Sequence, residues 1–431
     1  MKVYVKHYQQ EVELTDEQEH VVMSAISAFR RGEQLFQYAA PAGCGKSLIL
    51  HIIIQELGYS EDDIAPMAYM GSAAMVMRKN GFLRAKTCHS WLFTPVVVPY
   101  KDELGRTKYK TTFVPKPLNP LEIKLIVIDE GSMIPYHMRQ VIEANQIPVL
   151  VCGDLDQLQP IASKAAYLTT GRVERLTKIM RQAKDSGIVY LSNMIKQGFR
   201  PKPGNYNEVL VIPYENLTTD MILKAESIIC GYNATRENIT AYMRDLLGFK
   251  GPLPYYGEKI VCRENHWEIM EDDINLVNGL IGVCVSNDHT ITRMKTHDVF
   301  TLDFKPMLFP HITFKDVDCD YQYFTGTSVK RQQIKEQEQG HPSIPRYNKF
   351  EFGYAITTHM SQGNQYKNGI YIEQLFNDPS MQYKLNYTGI TRFIDHCIYV
   401  LPQRKKILMP PPSIAKEQTK CVVFINGQPQ I

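Results

Sequence analysis

The spacing of apolar residues along the chain predicts alternating helices and strands. A first helix is predicted to begin after Thr15, a suitable N-cap, because apolar residues recur there at helical spacing, at Val21, Val22, Ala25, Ile26 and Phe29. Short continuous apolar runs instead predict buried strands. These runs are residues 35–39, 65–70, 125–128, 148–152, 227–230, 369–372 and 397–401. Since helical segments separate them, we expect a doubly wound α/β fold around parallel sheets.

Two regions interrupt this α/β pattern. Residues 95–100 and 109–114 flank a polar tip, which predicts a β-hairpin inserted between residues 91 and 120. Residues 257–347 change to short β-like segments, which predicts a second, β-rich insertion. These segments are residues 259–262, 282–285 and 311–314.

Composition and charge narrow the class of protein without identifying it. A length of 431 residues implies roughly two to four domains, and 44% hydrophobic with 22% charged residues is typical of a globular chain. The net charge of +3 neither requires nor excludes a nucleic-acid partner. Nine scattered cysteines without a C-x-x-C pair predict reduced structural thiols. A membrane helix needs about 18 apolar residues, and no apolar run in the sequence is that long. No secretory signal is visible either, so we predict a cytoplasmic protein without a membrane partner.

A small-residue turn between a predicted strand and a predicted helix has the pattern of a phosphate loop. In such a loop, backbone N–H groups cradle phosphate oxygens, the lysine reaches the terminal phosphates and the hydroxyl binds magnesium. The full pattern has a glycine at the position of Ala40, so the start of the loop is expected to differ slightly. We predict a site for a nucleotide and Mg²⁺ formed by Ala42, Gly43, Cys44, Gly45, Lys46 and Ser47.

Two carboxylates end a later buried strand. Asp129 and Glu130 directly follow the apolar run 125–128. Beside a bound triphosphate, Asp129 would hold Mg²⁺, directly or through water, and Glu130 would polarise the attacking water. The alternative for the motif alone is an acidic pair that caps the following turn. Together with the phosphate loop, the pair predicts nucleotide hydrolysis.

Further motifs follow in an order that resembles superfamily-1 helicases. They are Gly153-Asp154-Leu155-Asp156-Gln157, Arg181-Gln182, Thr357-Thr358-His359-Met360-Ser361-Gln362-Gly363 and Tyr387-Thr388-Gly389-Ile390-Thr391-Arg392. The likeness is closest to the RecD-like B branch, and within it to the compact phage Dda-type helicases, over residues 14–402. The resemblance implies an α/β protein with two RecA-like doubly wound parallel-sheet domains, a small β-hairpin insertion and a β-rich SH3-like insertion.

The resemblance also implies a division of the chain into domains. The predicted parts are RecA-like domain 1A at residues 1–90 and 121–190, a pin insertion 1B at 91–120, RecA-like domain 2A at 191–256 and 348–402, an SH3-like domain 2B at 257–347, and a tail at 403–431. In related enzymes such a pin splits the duplex, and a solvated hairpin without that role is the alternative here. The tail carries an apolar patch, 421–425, for which the pattern indicates no packing partner.

By resemblance, five residues outside the phosphate loop and the acidic pair act at the nucleotide. Gln157 would sense the γ-phosphate. Arg181 and Arg392, one from each RecA-like domain, would clamp the phosphates and stabilise transition-state charge. Gly363 belongs to a turn near the nucleotide. Gln18 matches the glutamine that reads the adenine edge, although Thr15-x-x-Gln18 is also a capping-box pattern, and both interpretations stay open.

The resemblance places contacts to a nucleic-acid backbone on loops at the edges of both RecA-like domains. Trp91 and Phe93 offer faces for base stacking, or pack in the core. Ser72 and Met360 stand where relatives usually carry basic residues, and Arg236 is a candidate replacement. The residues predicted to bind nucleic acid are Ser72, Lys86, Thr87, His89, Trp91, Phe93, Asn233, Thr358, His359 and Ser361.

The predicted function is an ATP-dependent DNA helicase that moves 5′ to 3′ along single-stranded DNA and separates duplex strands. Its cofactors would be ATP and Mg²⁺, and its partners single-stranded DNA and forked duplex DNA, with a single-stranded-DNA-binding protein as a further candidate; a monomer is expected. Two alternatives stay open: a translocase that strips proteins with little unwinding, and a nucleotide-gated factor that binds or loads single strands. The direction of travel rests on the resemblance alone, and backbone contacts do not exclude RNA.

Overall fold

The structure is a computed structural model that describes most of the chain. The residues outside this description are 42, 102–106, 160–164, 178–185, 294–297, 327–329, 332, 335–346, 403–422, 426–427 and 431. The described residues form three six-stranded sheets and four two-stranded hairpins. Two of the three large sheets are built from parallel strands, so the predicted α/β class is confirmed.

The first sheet is parallel, and helices cover both of its faces. In spatial order its strands are Glu174–Arg175, Leu35–Ala39, Val149–Gly153, Leu125–Ile128, Ile64–Ala68 and Lys86–Thr87. Alternate residues of a strand point to opposite faces, so Val127 and Leu150 pack in one core and Ile126 and Val151 in the other. The helices are Asp16–Arg30, Lys46–Glu56 and Gly71–Lys79 on the first face, and Cys88–Leu92 and Tyr136–Glu143 on the second.

The second sheet repeats this arrangement. In spatial order its strands are Gly204–Tyr206, Val209–Pro213, Phe393–Leu401, Tyr366–Ile372, Ser227–Cys230 and Ala355–Thr357. All its pairings are parallel except that of the edge strand Gly204–Tyr206. Its helices are Gly187–Lys196 and Pro379–Ile390 on one face, and Thr219–Lys224 and Asn233–Leu246 on the other. Short 3₁₀ turns lie at Glu61–Asp63, Gly131–Met133 and Tyr214–Asn216.

The third sheet is antiparallel and comes from the region predicted to be a β-rich insertion. In spatial order its strands are Ile291–Arg293, Asp298–Pro306, Ile281–Cys284, Lys259–Cys262 and Phe350–Phe352, with Phe314–Asp320 also paired to Asp298–Pro306, and it is followed by the helix Tyr321–Thr325. The strand predicted at residues 311–314 is wrong, because pairing begins only at Phe314. Phe350 pairs with Cys262 and is fully buried in this sheet. The predicted domain boundary at residue 348 stays a prediction, and the strand Phe350–Phe352, which follows it, pairs with the third sheet.

Four hairpins complete the described fold. They are Lys2–Val5 with Gln10–Glu13, Phe93–Lys101 with Thr107–Pro115, His266–Glu271 with Ile274–Leu276, and Val423–Ile425 with Gln428–Gln430. The second is the predicted insertion hairpin, with Phe93 opposite Pro115. Its role as a pin stays a prediction. Directly after the third hairpin, Val277 lies against the first-sheet helix at Gly71, where a Cβ would approach it to 2.8 Å, so the third sheet contacts the first α/β unit.

Two further expectations concern the interior of the molecule. The eight cysteines that the structure describes are free and buried, which agrees with the prediction of reduced structural thiols; Cys421 lies outside the description. Within the same described part of the chain, no helix combines the length and the apolar character that crossing a membrane requires.

A buried cluster of ion pairs joins the third sheet to the second α/β unit. Glu351, only 3% exposed, accepts from Arg236 on the helix Asn233–Leu246. Arg263 and Arg331 approach the other oxygen of the same carboxylate at 3.3 and 3.5 Å. Burial would raise the pKa of Glu351, but the three guanidinium groups lower it. Arg236 is therefore held inside the protein, and its predicted role as a replacement phosphate contact is wrong.

Removing this shared carboxylate is expected to destabilise the protein strongly. Glu351→Ala leaves the buried Arg236 and the partly exposed Arg263 and Arg331 without their common acceptor, and breaking a buried ion pair typically costs about 3 to 5 kcal/mol. A thermal melt followed by circular dichroism measures the loss as a lower midpoint. The matched control is Glu33→Ala, which removes an exposed ion pair with Arg31 and should cost less than about 1 kcal/mol. Equal midpoints for the two variants would show that the cluster contributes little.

Candidate functional site

The phosphate-loop segment folds as a tight turn between the strand Leu35–Ala39 and the helix Lys46–Glu56. Gly43 and Gly45 have φ of 82° and 80°, angles that a residue with a Cβ adopts only with strain. Gly45 is also the N-cap of the helix. The loop therefore turns the N-terminus of this helix, where the first backbone N–H groups lack intrahelical partners, towards the cavity described below.

The start of the loop tolerates its departure from the usual pattern. Ala40 extends the strand, since its N–H donates to the carbonyl of Gly153 at 2.9 Å. No left-handed angle is needed there, and a glycine is dispensable. The side chain of Cys44 is buried, so it packs beneath the loop. Ala42 lies outside the described residues.

Lys46 lies between the two carboxylates that were predicted to act with it. Its Nζ is 2.9 Å from Asp129 Oδ1 and 3.1 Å from Glu130 Oε1, and all three side chains are less than one-fifth exposed. Burial would lower the pKa of Lys46, but the neighbouring carboxylates raise it well above its usual value. Burial likewise would raise the pKa of Asp129, and Lys46 lowers it. The site therefore holds a buried, fully ionised lysine beside ionised Asp129.

The two carboxylates are positioned by the ends of neighbouring strands. Asp129 Oδ1 accepts from the Glu130 N–H at 2.8 Å and from the Cys152 thiol at 3.3 Å. Glu130 has a left-handed backbone, with φ of 54°, and such strain in a non-glycine residue is concentrated at functional sites. Glu130 Oε2 is buried, with no hydrogen-bond partner in the described part of the chain. One acceptor at this site is thus available for a ligand or a water molecule.

The opposite wall of the cavity comes from the second α/β unit. Lys46 and Arg392 line one cleft of about 340 Å³, together with Ser47, Gln157 and Gly363. Arg392 is 5% exposed, and its Nε donates to the Thr388 carbonyl at 3.2 Å. The side chains predicted to reach the phosphates from both units therefore meet at one place. Arg181 lies outside the described residues.

The two α/β units also contact each other around this cleft. Gly363 has φ of 77° and fits tightly on the first unit, since a Cβ there would come within 2.7 Å of the Ala73 Cβ. The Leu158 N–H donates to Thr388 Oγ1 at 3.0 Å, and the Gln362 amide donates to the Leu158 carbonyl at 3.0 Å. Movement at the cleft must therefore break or exchange bonds between the units.

A short polar chain links Gln157 to the second unit. Its amide donates to Asp154 Oδ2 at 3.3 Å, and the same oxygen accepts from the Tyr387 hydroxyl at 2.7 Å. Burial raises the pKa of Asp154, and the bond from Tyr387 opposes that rise. Sequence reasoning quoted Asp154 and Tyr387 within motifs but gave neither a role. The signal available was their place next to Gln157 and Arg392 in those motifs.

Gln18 braces the phosphate loop and the start of its own helix. It is 1% exposed, its Oε1 accepts from the Thr15 N–H at 3.0 Å, and its Nε2 donates to the Cys44 carbonyl at 3.0 Å. The capping box that was left open as an alternative is therefore present. Its reading of an adenine edge stays a prediction.

The residues predicted to hold magnesium fit that ion chemically. Ser47 and Asp129 line the cleft beside Lys46, and a hydroxyl and a carboxylate oxygen are ligands that Mg²⁺ accepts. Across the described residues, no group of three or more histidine, cysteine, aspartate or glutamate side chains could hold a metal by itself. Mg²⁺ usually keeps several waters and substrate phosphates as its other ligands, so this sparse donor set is compatible with it.

Four residues predicted to contact nucleic acid have buried side chains. Thr87 Oγ1 accepts from the Ser90 N–H at 3.2 Å and caps the helix Cys88–Leu92. Thr358 Oγ1 donates to the Cys230 carbonyl at 3.2 Å. The hydroxyls of Ser72 and Ser361 likewise donate to the carbonyls of Gln362 and Thr358, and each of the four residues is at most 1% exposed. These hydroxyls are bound within the protein and hold its loops in place, and the predicted contacts of Ser72, Thr87, Thr358 and Ser361 with nucleic acid stay predictions.

The other predicted nucleic-acid residues reach the surface. His89 is exposed and stacks on Phe93, with ring centroids 5.6 Å apart. Lys86 lies 5.7 Å from the centroid of the half-buried Trp91 ring, and the Trp91 indole donates to the Pro66 carbonyl at 2.8 Å. These four residues are two pairs within residues 86–93 of the first unit, and we call them together the basic and aromatic patch. On the second unit, Asn233 is exposed and His359 is half-buried, each after the end of a parallel strand.

Comparison with known proteins supports this architecture. Residues 13–209 match the family model of an AAA domain. The ATP-dependent DNA helicase RRM3 of Saccharomyces cerevisiae is 26% identical over 225 residues, which are 43% of this chain and 28% of that protein. The match therefore covers less than a third of the relative's length.

Solved Pif1 helicases share the fold over most of the chain. A Pif1 structure concerned with unwinding at forked duplex DNA matches with a TM-score of 0.52 and 18% identity, and covers 90% of this chain and 92% of the other. A Bacteroides Pif1 structure with ADP-AlF3 and single-stranded DNA gives 0.52 and 16% over the same shares. The chain thus shares the fold of these Pif1 helicases, in agreement with the predicted resemblance to a helicase fold. Its predicted closeness to Dda-type helicases is not supported by these matches.

Proposed function

We propose that this protein is an ATP-dependent DNA helicase that moves 5′ to 3′ along single-stranded DNA and opens forked duplexes. The observation that carries the proposal is the shared cleft: Lys46 from the first α/β unit and Arg392 from the second line one cavity. A nucleotide bound there would touch both units. Binding and hydrolysis would then change the contacts between them, as a motor requires.

ATP binding would begin with an exchange of partners at Lys46. The ammonium now lies between Asp129 and Glu130, and the triphosphate offers it stronger anionic acceptors. Backbone N–H groups at the helix N-terminus would bind phosphate oxygens at the same time. The exchange frees both carboxylates for the chemistry that follows.

Hydrolysis would use the freed carboxylates. Ser47 and Asp129 would hold Mg²⁺, which when bound neutralises charge on the phosphates. Glu130, whose Oε2 is buried and available to a ligand, would orient and polarise the attacking water. Gln157 and Arg392 would contact the terminal phosphate, and a planar guanidinium suits bidentate contact with phosphoryl oxygens. The site thus supplies positioning and charge, the two demands of phosphoryl transfer.

Single-stranded DNA would cross the edges of both units. The patch of Lys86, His89, Trp91 and Phe93 offers a cation and ring faces, which suits backbone contact and base stacking without sequence preference. Asn233 and His359 would act from the second unit. The hairpin that begins at Phe93 adjoins the patch and would separate the strands as a pin. The similar Pif1 structures concern forked duplex DNA and single-stranded DNA, which supports this choice of substrate.

Unwinding of tailed duplexes tests the proposal. With ATP and Mg²⁺ present, we expect displacement from a duplex with a 5′ single-stranded tail and little from blunt or 3′-tailed duplexes. Single-stranded DNA should stimulate ATP hydrolysis. Unwinding only with a 3′ tail would contradict the direction. ATPase without any displacement would favour a protein-stripping translocase, and ATPase that ignores DNA would favour a binding or loading factor.

Removal of the Tyr387 hydroxyl is expected to weaken coupling between the units. Tyr387→Phe takes away the bond to Asp154, so burial would raise the pKa of Asp154 further and the link to Gln157 would loosen. Hydrogen bonds to charged groups contribute about 1.5 to 3 kcal/mol, so stimulation of the ATPase by DNA should fall roughly tenfold or more, and more than the basal rate falls. Tyr383→Phe, one turn earlier on the same helix, is the control. A basal rate that falls as far as the stimulated one would argue against coupling.

A further inference from the structure

The nucleotide cleft has an end to which the proposed function gives no role. Lys46, Gln157 and Arg392 line this cavity with charged and polar groups, and Tyr8 and Leu48 line the same cavity with an aromatic ring and an aliphatic side chain. Tyr8 belongs to the turn of the N-terminal hairpin and is 38% exposed. An exposed aromatic ring in a cleft that would bind a nucleotide can stack on a planar group of the ligand.

The place of Tyr8 matches the direction in which a nucleotide would extend. Its ring meets His51 edge-to-face, with centroids 5.6 Å apart. His51 lies five residues after Lys46 on the same helix, a rise of about 7.5 Å. A ribose and one phosphate separate the base of a nucleotide from its β-phosphate. Phosphates bound at the loop would therefore leave the base farther along, beside Leu48 and Tyr8.

The hairpin that carries Tyr8 is held firmly against the phosphate-loop helix. The Lys6 N–H donates to Gln55 Oε1 at 3.0 Å, and Gln55 Nε2 donates to the Tyr4 carbonyl at 2.9 Å. Val3 and Val5 are buried in the core of the first unit. The turn is therefore fixed before any ligand arrives.

A column of stacked rings supports the same turn. His7 stacks on His51 with centroids 4.4 Å apart and 11° between planes, and His51 stacks on Phe82 at 4.3 Å and 10°. Gly81 makes room for this column, because a Cβ there would collide with the His7 ring. His51 Nε2 hydrogen-bonds the Asn80 carbonyl at 2.7 Å. The stacked rings thus hold the turn that carries Tyr8 in place, so that binding of a base would cost little conformational entropy.

Gln18, which by resemblance would bind the edge of the base, is already hydrogen-bonded within the protein. Both ends of the Gln18 amide bind the protein, at Thr15 and at Cys44, and the residue is 1% exposed. Reading the edge of a base with Gln18 would mean breaking the capping box or releasing the phosphate loop. Stacking on Tyr8 needs neither change.

We propose that Tyr8 is the stacking platform for the nucleotide base, so that this chain holds the base by its face, between Tyr8 and Leu48. This inference rests on the proposed function, since it names how the same cleft binds the nucleoside part of its substrate. Phosphate contacts and hydrolysis remain with the residues already assigned.

Nucleotide binding by tyrosine variants of the full chain tests the inference. Tyr8→Ala should weaken binding of fluorescent ADP and raise the KM for ATP about tenfold, the usual size of base stacking on an aromatic side chain, with kcat little changed. Tyr8→Phe keeps the ring and should restore both values. Tyr4→Ala is the matched control, because Tyr4 is exposed on the same hairpin. Tripolyphosphate, which lacks a base, should compete with equal affinity in wild type and Tyr8→Ala.

The outcomes separate this inference from the proposal beneath it. An unchanged KM in Tyr8→Ala, or an equal loss of tripolyphosphate binding, would overturn the platform while leaving the ATPase in place. Failure of Tyr8→Phe to restore binding would also overturn it. If the wild type binds no nucleotide, the proposed function itself fails, and the inference fails with it.

Discussion

Lys46→Ala is expected to abolish nearly all ATP hydrolysis and all unwinding. The buried ammonium lines the cleft and would bind the triphosphate directly, and loss of one pre-positioned donor at a reacting centre costs about 10²- to 10³-fold in rate. The substitution also leaves Asp129 and Glu130 facing a phosphate-binding site without their shared counter-charge. Their repulsion for the triphosphate should weaken ATP binding as well. Steady-state phosphate release and a forked-duplex assay measure both effects.

The control for this variant is another lysine of the same unit. Lys124→Ala removes a half-exposed lysine that pairs with Asp63 at 2.6 Å and lies at the opposite end of the strand Leu125–Ile128 from Asp129, outside the lining of the cleft. It should leave ATPase and unwinding near wild-type levels. Single-stranded DNA binding should survive in Lys46→Ala, because the basic and aromatic patch is untouched. Retained unwinding in Lys46→Ala would contradict the assignment of the cleft.

Arg392→Ala is expected to lower DNA-stimulated hydrolysis about 10³-fold or more, the range measured for arginine fingers. The guanidinium reaches the cleft from the second unit, where its Nε is held by the Thr388 carbonyl at 3.2 Å. Its loss would remove transition-state charge stabilisation and the link through which the second unit senses the nucleotide. Affinity for ADP should fall less than the rate, because the phosphate loop remains intact.

Lys224→Ala serves as the control for Arg392→Ala. This lysine is 70% exposed in the second unit and pairs with Asp220, so its removal should change neither rate nor binding. Comparing single-turnover hydrolysis with ADP binding in the two variants separates chemistry from affinity. Equal losses of rate and of ADP affinity in Arg392→Ala would assign this arginine to ground-state binding alone.

The local pattern of the sequence predicts those parts of the fold that depend on short-range order. Buried runs such as 125–128 and 148–152 become adjacent parallel strands, because continuous Val, Ile and Leu suit a sheet covered on both faces. The third sheet is less predictable, since antiparallel partners are set by contacts distant in sequence. Phe350 illustrates this limit: its pairing with Cys262 joins positions 88 residues apart, and no local signal marks it.

The candidate site likewise contains residues that local motifs predict and residues whose placement depends on contacts distant in sequence. Lys46, Asp129 and Glu130 were assigned from motifs, and the structure brings them within hydrogen-bonding distance. Ser72, Thr87, Thr358 and Ser361 look identical in sequence to exposed hydroxyls, and only the packing around them decides that they face inwards. Tyr8 was missed because it lies in a hairpin turn that apolar spacing did not predict.

Lys46 is bound by two carboxylates of its own protein, Asp129 and Glu130, at about 3 Å. Under the proposed function, each triphosphate that binds would displace these carboxylates from Lys46, and the ammonium would return to them as the product leaves. This competition would favour release of the product over its retention. A motor that releases ADP in every cycle would turn over faster for it.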